Sequence, residues 1–153
     1  MDAAIHESEA EPARRGGRLF AYGSLRFPEV VSSLLGRVPQ HEPDSAPGWR
    51  AAEVPDEVFP ALVAGSGTVP GLLLDGLSPR EWEVLDAFEG PFYEARPIEL
   101  ASGRSEWTYV CADPSRVGPG DWSPERFART HLAEYVRDCA DWRQEFLEGE
   151  HPD

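Results

Sequence analysis

Apolar runs of strand length, separated by Gly, Pro and Ser, alternate along this chain with apolar series of helical period. Leu19-Phe20-Ala21-Tyr22 reads as a buried strand; Gly23-Ser24 breaks it, and Pro28 opens an apolar, helix-compatible segment through Leu35. Between Gln40 and Pro60 the prolines at 43, 47, 55 and 60 exclude a long helix. They predict a loop wrapping the core, with one short strand, Trp49 to Val54. Ala61 to Ala64 and Thr68 to Asp75 read as two strands joined by Gly65-Ser66-Gly67, whose glycines permit the positive φ of a tight hairpin.

Ser78-Pro79-Arg80-Glu81 starts a helix: an N-cap hydroxyl, proline at the first helical position, Glu81 completing a capping box, and an apolar series behind. Gly90-Pro91 ends it. Pro97 to Leu100 and Trp107 to Cys111 read as strands around Ser102-Gly103, and Ser123-Pro124 opens a long last helix. Leu132, Tyr135, Cys139, Trp142 and Phe146, spaced by threes and fours, line one stripe of it, as core packing does. Residues 1–17 have no apolar periodicity and read as a disordered leader; 18–147 form one domain, and 148–153 a flexible acidic tail.

The 153 residues, 41% of them hydrophobic, suffice for one core and are too few for two domains of ordinary size. Of the formal charge of −14, residues 1–17 carry −2 and 144–153 carry −4, leaving −8 for residues 18–143. An acidic domain without a basic, aromatic-interleaved patch does not attract phosphate backbones, so no nucleic-acid partner is expected. No apolar run spans a bilayer and no secretory signal opens the chain, so no membrane partner is expected and the location is read as cytoplasmic. Cys111 and Cys139 read as buried reduced thiols, and the four histidines are scattered, so neither a metal site nor a Ser/His/Asp triad through Ser24 is indicated.

One carboxylate falls in an odd place. At 100° per residue from Trp82, Leu85 and Phe88 lie at about 300° and 240° and Glu89 at about 340°, whereas Asp86 and Glu83 turn to the polar side at about 40° and 100°. Glu89 also occupies the last turn, where the helix dipole disfavours an anion. Desolvation acts in the same direction, so a raised pKa is expected, suited to a group that takes up and returns a proton. The same residues also describe a frayed helix end with a solvated Glu89. Tyr22-Gly23-Ser24-Leu25 is a strand-to-glycine turn whose backbone N–H groups can face a carboxylate, with Arg26 able to add a charge-assisted hydrogen bond. It also describes an ordinary connection. Tyr93 follows Glu89 by four residues, around Pro91.

In order, Leu19-Phe20-Ala21-Tyr22-Gly23-Ser24-Leu25, Phe59-Pro60-Ala61-Leu62, Val69-Pro70-Gly71-Leu72-Leu73 and Leu85-Asp86-Ala87-Phe88-Glu89-Gly90 with Tyr93 resemble the gamma-glutamylcyclotransferase-like family, nearest to its plant avirulence-induced branch. The resemblance covers about residues 18 to 112. It implies an α+β fold, a small mixed β-barrel flanked by helices. It also implies a cavity closed on one side by Tyr22, Gly23, Ser24 and Leu25, with Glu89 as the catalytic carboxylate opposite; Arg26, beside the loop, and Tyr93, after Glu89, are read from their positions as further substrate contacts. The implied reaction cyclises a γ-glutamyl amide to 5-oxoproline and a free amine without cofactor or metal. The implied partner is therefore a small γ-glutamyl substrate. A non-catalytic module holding such a ligand in the same cavity is the alternative, and oligomeric state is not legible.

Overall fold

The computed structural model describes residues 15–149, so most of the expected leader and the end of the acidic tail lie outside the described residues. Five strands form one sheet in the order β2-β3-β1-β5-β4. β1 (Leu19–Ala21) is at its centre, antiparallel to β3 (Pro60–Asp75) through Phe20 opposite Leu73, and parallel to β5 (Ser105–Cys111) through Leu19 opposite Trp107. β4 (Tyr93–Glu99) pairs antiparallel with β5, as the turn at Ser102-Gly103 predicts. β2 (Gln40–Glu53) closes the other edge.

β2 corrects the expected loop over 40–60. Proline breaks a central strand because it cannot donate to the ladder, but an edge strand has one unpaired side where that loss costs nothing. Pro43 and Pro47 accordingly sit in register opposite Leu72 and Thr68. The expected hairpin at Gly65-Ser66-Gly67 does not form either. Ala61 to Ala64 and Thr68 to Asp75 run on as a single strand, and the register jumps from Pro47 opposite Thr68 to Trp49 opposite Ala64. Three residues of β3 thus oppose only Gly48, which takes φ +85°. The glycines form a bulge, where a Cβ on Gly65 would fall 2.9 Å from that of Arg50.

Alternation along β1 separates two cores. Leu19 and Ala21 face a cluster with Val31 and Leu34 of α1 (Pro28–Leu35), Trp82 and Leu85 of α2 (Pro79–Glu89), and Cys139 of α4 (Leu132–Gly149). Phe20 and Tyr22 face a cluster built by the curling sheet itself, with Ala46 from one edge strand and Ile98 from the other. The two edges approach each other, Ala101 N–H donating to Ser45 C=O at 2.8 Å, but no ladder closes them. The fold is α+β with helices flanking an open, barrel-like sheet.

α2 is capped as expected: Glu81 N–H donates to Ser78 Oγ and Ser78 N–H to Glu81 Oε1, both at 3.0 Å, with Pro79 at the first helical position. The last helix is two, α3 (Pro124–Thr130) and α4, separated by a turn at His131. The turn lets buried Phe127 pack against Tyr135 and Trp122. Glu148 and Gly149, assigned above to the tail, end α4. Arg15 to Gly17, assigned above to the leader, pack on the domain. The Arg15 guanidinium lies 4.7 Å from the Trp82 ring and 5.2 Å from the Trp107 ring, and Gly16 C=O accepts from Trp82 Nε1 at 2.8 Å. Among the described residues no helix is long and apolar enough to cross a membrane.

Candidate active site

β1 ends at Ala21 and the chain turns through Tyr22 and Gly23 into one 3-10 turn, Ser24–Arg26. Gly23 passes so close to Pro60 that a Cβ would fall 2.8 Å from the proline ring, so only glycine fits here without displacing the wall. Within the turn Arg26 N–H donates to Gly23 C=O and Phe27 N–H to Ser24 C=O, both at 3.1 Å. The Ser24 and Leu25 N–H groups precede the turn's first donor, Arg26 N–H, and are in none of the described hydrogen bonds.

This loop forms one wall of a cavity of about 300 Å³. Phe88 and Glu89 from the end of α2 share the lining with it, together with Phe20-Ala21, Phe59-Pro60, Phe92-Tyr93, Tyr109 and Tyr135. Ser78-Pro79 sets where α2 begins; eleven residues later Glu89 is its last member, before Gly90 turns the chain out at φ +64°. Glu89 keeps part of its surface open to the cavity while sitting deep in the protein mass. Desolvation first, and the Asp86 carboxylate one turn earlier second, push its pKa from an ordinary carboxylate value up to about 8. None of the described hydrogen bonds engages its carboxylate.

All four tyrosines of the chain line this cavity. Three have their protons committed to protein acceptors. Tyr22 donates to Tyr109 C=O at 2.6 Å, Tyr93 to Pro60 C=O at 2.6 Å, and Tyr109 to Asp86 Oδ1 at 2.7 Å. Tyr135 differs. Its hydroxyl accepts from Ser24 Oγ at 3.2 Å, and its own proton has no acceptor among the described bonds. Burial raises all four phenol pKa values, with the Glu89 carboxylate adding to each, so they stay neutral donors and acceptors.

The structure therefore gathers Tyr22, Gly23, Ser24, Leu25, Tyr93 and Glu89 around one space. It does not bring Arg26 there. Arg26 lines a second cavity on the other side of Tyr22, with Trp49, Arg50, Asp121 and Trp122, because the 3-10 turn rotates consecutive side chains by about a third of a circle. Asp86, expected on the polar side, is drawn inward: Arg15 donates to its Oδ1 at 2.8 Å and Tyr109 to the same oxygen. Tyr109 and Tyr135 escaped the sequence reading. Tyr135 belongs to the stripe expected to pack in the core, and its one visible signal is a hydroxyl within that otherwise apolar stripe. Among the described residues no group of three or more His, Cys, Asp or Glu is placed to hold a metal.

The family model described as gamma-glutamyl cyclotransferase, AIG2-like, matches residues 19–124. AIG2-like protein C of Arabidopsis thaliana is 39% identical over 127 residues, covering 77% of this chain and 73% of that protein. A solution structure of an Arabidopsis thaliana protein superposes with a TM-score of 0.61 at 26% identity, covering 89% of this chain and 85% of the other. A structure named gamma-glutamyl cyclotransferase shares the fold, with a TM-score of 0.56 at 13% identity over 80% of this chain and 85% of its own.

Proposed function

Because the chain belongs to the gamma-glutamyl cyclotransferase, AIG2-like family, and so to the cyclotransferase class, we propose that it cleaves a γ-glutamyl amide by intramolecular attack, releasing 5-oxoproline and a free amine. The observation that carries this reading is Glu89, a carboxyl with its pKa near 8 facing the Tyr22-to-Leu25 loop across an open cavity.

The substrate's α-ammonium is not nucleophilic until it loses a proton, and the leaving nitrogen is a poor leaving group until it gains one. The substrate's α-ammonium, next to its own carboxylate, is more weakly acidic than a peptide N-terminus. Raising the carboxyl from an ordinary value to about 8 narrows the gap between the two groups and makes the proton transfer much less uphill. Glu89 takes a proton from the ammonium, the freed amine attacks the γ-carbonyl carbon, and the same carboxyl returns a proton to the leaving nitrogen as its bond to carbon breaks. The extra proton on the new ring nitrogen passes to the departing amine. Nucleophile and electrophile belong to one molecule, so the protein's task is to hold the ring-closing conformer, and this route has no covalent intermediate.

Three donors are available to the developing oxyanion and the substrate's α-carboxylate: the N–H groups of Ser24 and Leu25, and the uncommitted Tyr135 hydroxyl. Tyr22 and Tyr93, their protons fixed on Tyr109 and Pro60 carbonyls, hold the walls. Phe92, the residue best placed to block the space, stands in the wall beside Phe59, its ring centroid 5.4 Å away.

The test is incubation with a panel of γ-glutamyl amides, reading 5-oxoproline by mass spectrometry, with Glu89→Gln beside the wild type. Product from the wild type alone is expected. Equal product from Glu89→Gln would remove the proton-carrier role. No product from either, with ligand binding retained, would make this a binding module.

A further inference from the structure

We infer that the cavity beyond Tyr22 is a second small-molecule site, one that takes an aromatic carboxylate; the inference stands apart from the cyclotransferase reading. Two observations carry it, the donors left free around that space and the flat apolar side chains between them.

The cavity, about 360 Å³, draws its charge from Arg26, Arg50 and Asp121. Arg50 is committed. Its guanidinium donates to Asp121 Oδ1 and Gly120 C=O at 3.0 Å and to Gly118 C=O at 3.4 Å, fastening the segment that leads to Trp122. Arg26, half-buried on its 3-10 turn, has no hydrogen bond or ion pair among the described residues. With Asp121 neutralised by Arg50, Arg26 leaves this cavity one positive charge in excess, although the chain as a whole carries −14.

Neutral donors add to that charge. Trp122 seals its indole N–H on Val58 C=O at 2.7 Å, whereas Trp49 Nε1 has no acceptor in the described bonds, and neither has the hydroxyl of Ser66 or of Thr68 on the bulged stretch of β3. Free donors and an occupied carboxylate suit an anion. The body of that anion is set by Tyr22, Trp49 and Trp122, with Val69 and Pro70. Indole rings hold another flat π-system in offset or edge contact, and the planar guanidinium fork meets a carboxylate with two parallel hydrogen bonds. A ring bearing a carboxylate uses both; a neutral ring or a small anion uses one.

The experiment is calorimetric titration of the full chain with 2-naphthoate, 2-naphthamide and acetate. Naphthoate is expected to bind with a Kd below about 1 mM. Naphthamide, alike in shape but uncharged, and acetate, charged but without a ring, should each bind at least about tenfold more weakly. Arg26→Ala should weaken naphthoate about tenfold and leave naphthamide nearly unchanged, with Arg26→Lys in between. In a proton–nitrogen correlation spectrum the Trp49 indole signal should move on titration, and that of Trp82, held by Gly16 C=O at 2.8 Å, should stay. Equal affinity for naphthoate and naphthamide overturns the inference, and this comparison within the wild type holds whether or not the variants fold. So does naphthoate binding that survives Arg26→Ala unchanged or is lost in Glu89→Gln, which would put the ligand elsewhere, and so does no binding of naphthoate at all. Since 5-oxoproline is not read, none of these outcomes bears on the cyclotransferase reading.

Discussion

Tyr22 separates two cavities of similar size, about 300 Å³ on the Glu89 side and about 360 Å³ on the Arg26 side, and they are built on opposite electrical plans. The first encloses one carboxyl among rings, with no cation to neutralise it. In the second, Arg50 is bound to Asp121 and to the carbonyl of Gly120, both at 3.0 Å, so the charge of that pair is cancelled locally. An opposite charge at hydrogen-bond distance favours the charged form of both partners. An unpaired and desolvated ion changes its proton affinity by several units. Proton chemistry near neutral pH is therefore expected on the Glu89 side, although the second cavity is larger and richer in charged side chains.

The sharpest way to break this contrast is Glu89→Gln, which keeps shape and removes the proton; turnover is expected to fall by about 10³-fold or more, measured as 5-oxoproline per minute. The same variant reports on stability. A carboxyl with folded pKa near 8 and unfolded pKa near 4.5 stabilises the fold fully below pH 4.5, and that contribution is lost as pH rises towards 8. Urea denaturation should accordingly show Glu89→Gln gaining on the wild type across that window, by up to roughly 4 kcal/mol.

Next in size is Tyr135→Phe, which deletes the one tyrosine proton left for substrate. A drop in kcat of about 10- to 100-fold with a smaller change in KM is expected, whereas Tyr93→Phe, whose proton is held by Pro60, should chiefly lower the melting temperature. Asp86→Asn keeps an oxygen for Arg15 and Tyr109 but removes the charge that helps raise Glu89. The acid limb of kcat/KM, expected near pH 8 in the wild type, should move down by roughly half a unit to one unit, desolvation maintaining the rest. The smallest effect is expected on the far side of Tyr22: Arg26→Ala should alter kcat/KM by less than about threefold. A loss as large as that of Tyr135→Phe would mean that the two cavities act as one.

What the sequence disclosed follows from how local each determinant is. Glu89 was legible because a capping box fixes where α2 starts and 100° steps carry the phase eleven residues on. The Tyr22-to-Leu25 loop was legible because a glycine right after a buried strand has few uses. The β2–β3 ribbon was not: Pro43 and Pro47 break strands in general but not at an edge, and edge position is a property of the whole sheet. For the same reason Gly65-Ser66-Gly67 read as a turn, since a bulge is defined by the partner strand. Tyr109 and Tyr135 reach the cavity from elements 87 and 111 residues away from their partners in the loop, Tyr22 and Ser24, and no local pattern announces such a meeting. Arg26 adjoins the loop in sequence but lines the other cavity, because adjacency in sequence does not give adjacency in space.

The position of Arg15 gives the start of the domain an unexpected authority. Its guanidinium sits between two indoles and grips Asp86, the carboxylate that in turn acts on Glu89. A cut or a rigid fusion at this point would therefore be more than a cosmetic trim. It would leave Asp86 without its counter-charge and make Glu89 harder to ionise. Proteolysis or tagging a few residues before the first strand would thus retune the acidity of a group at the far end of a helix, and a shifted pH optimum would be its signature.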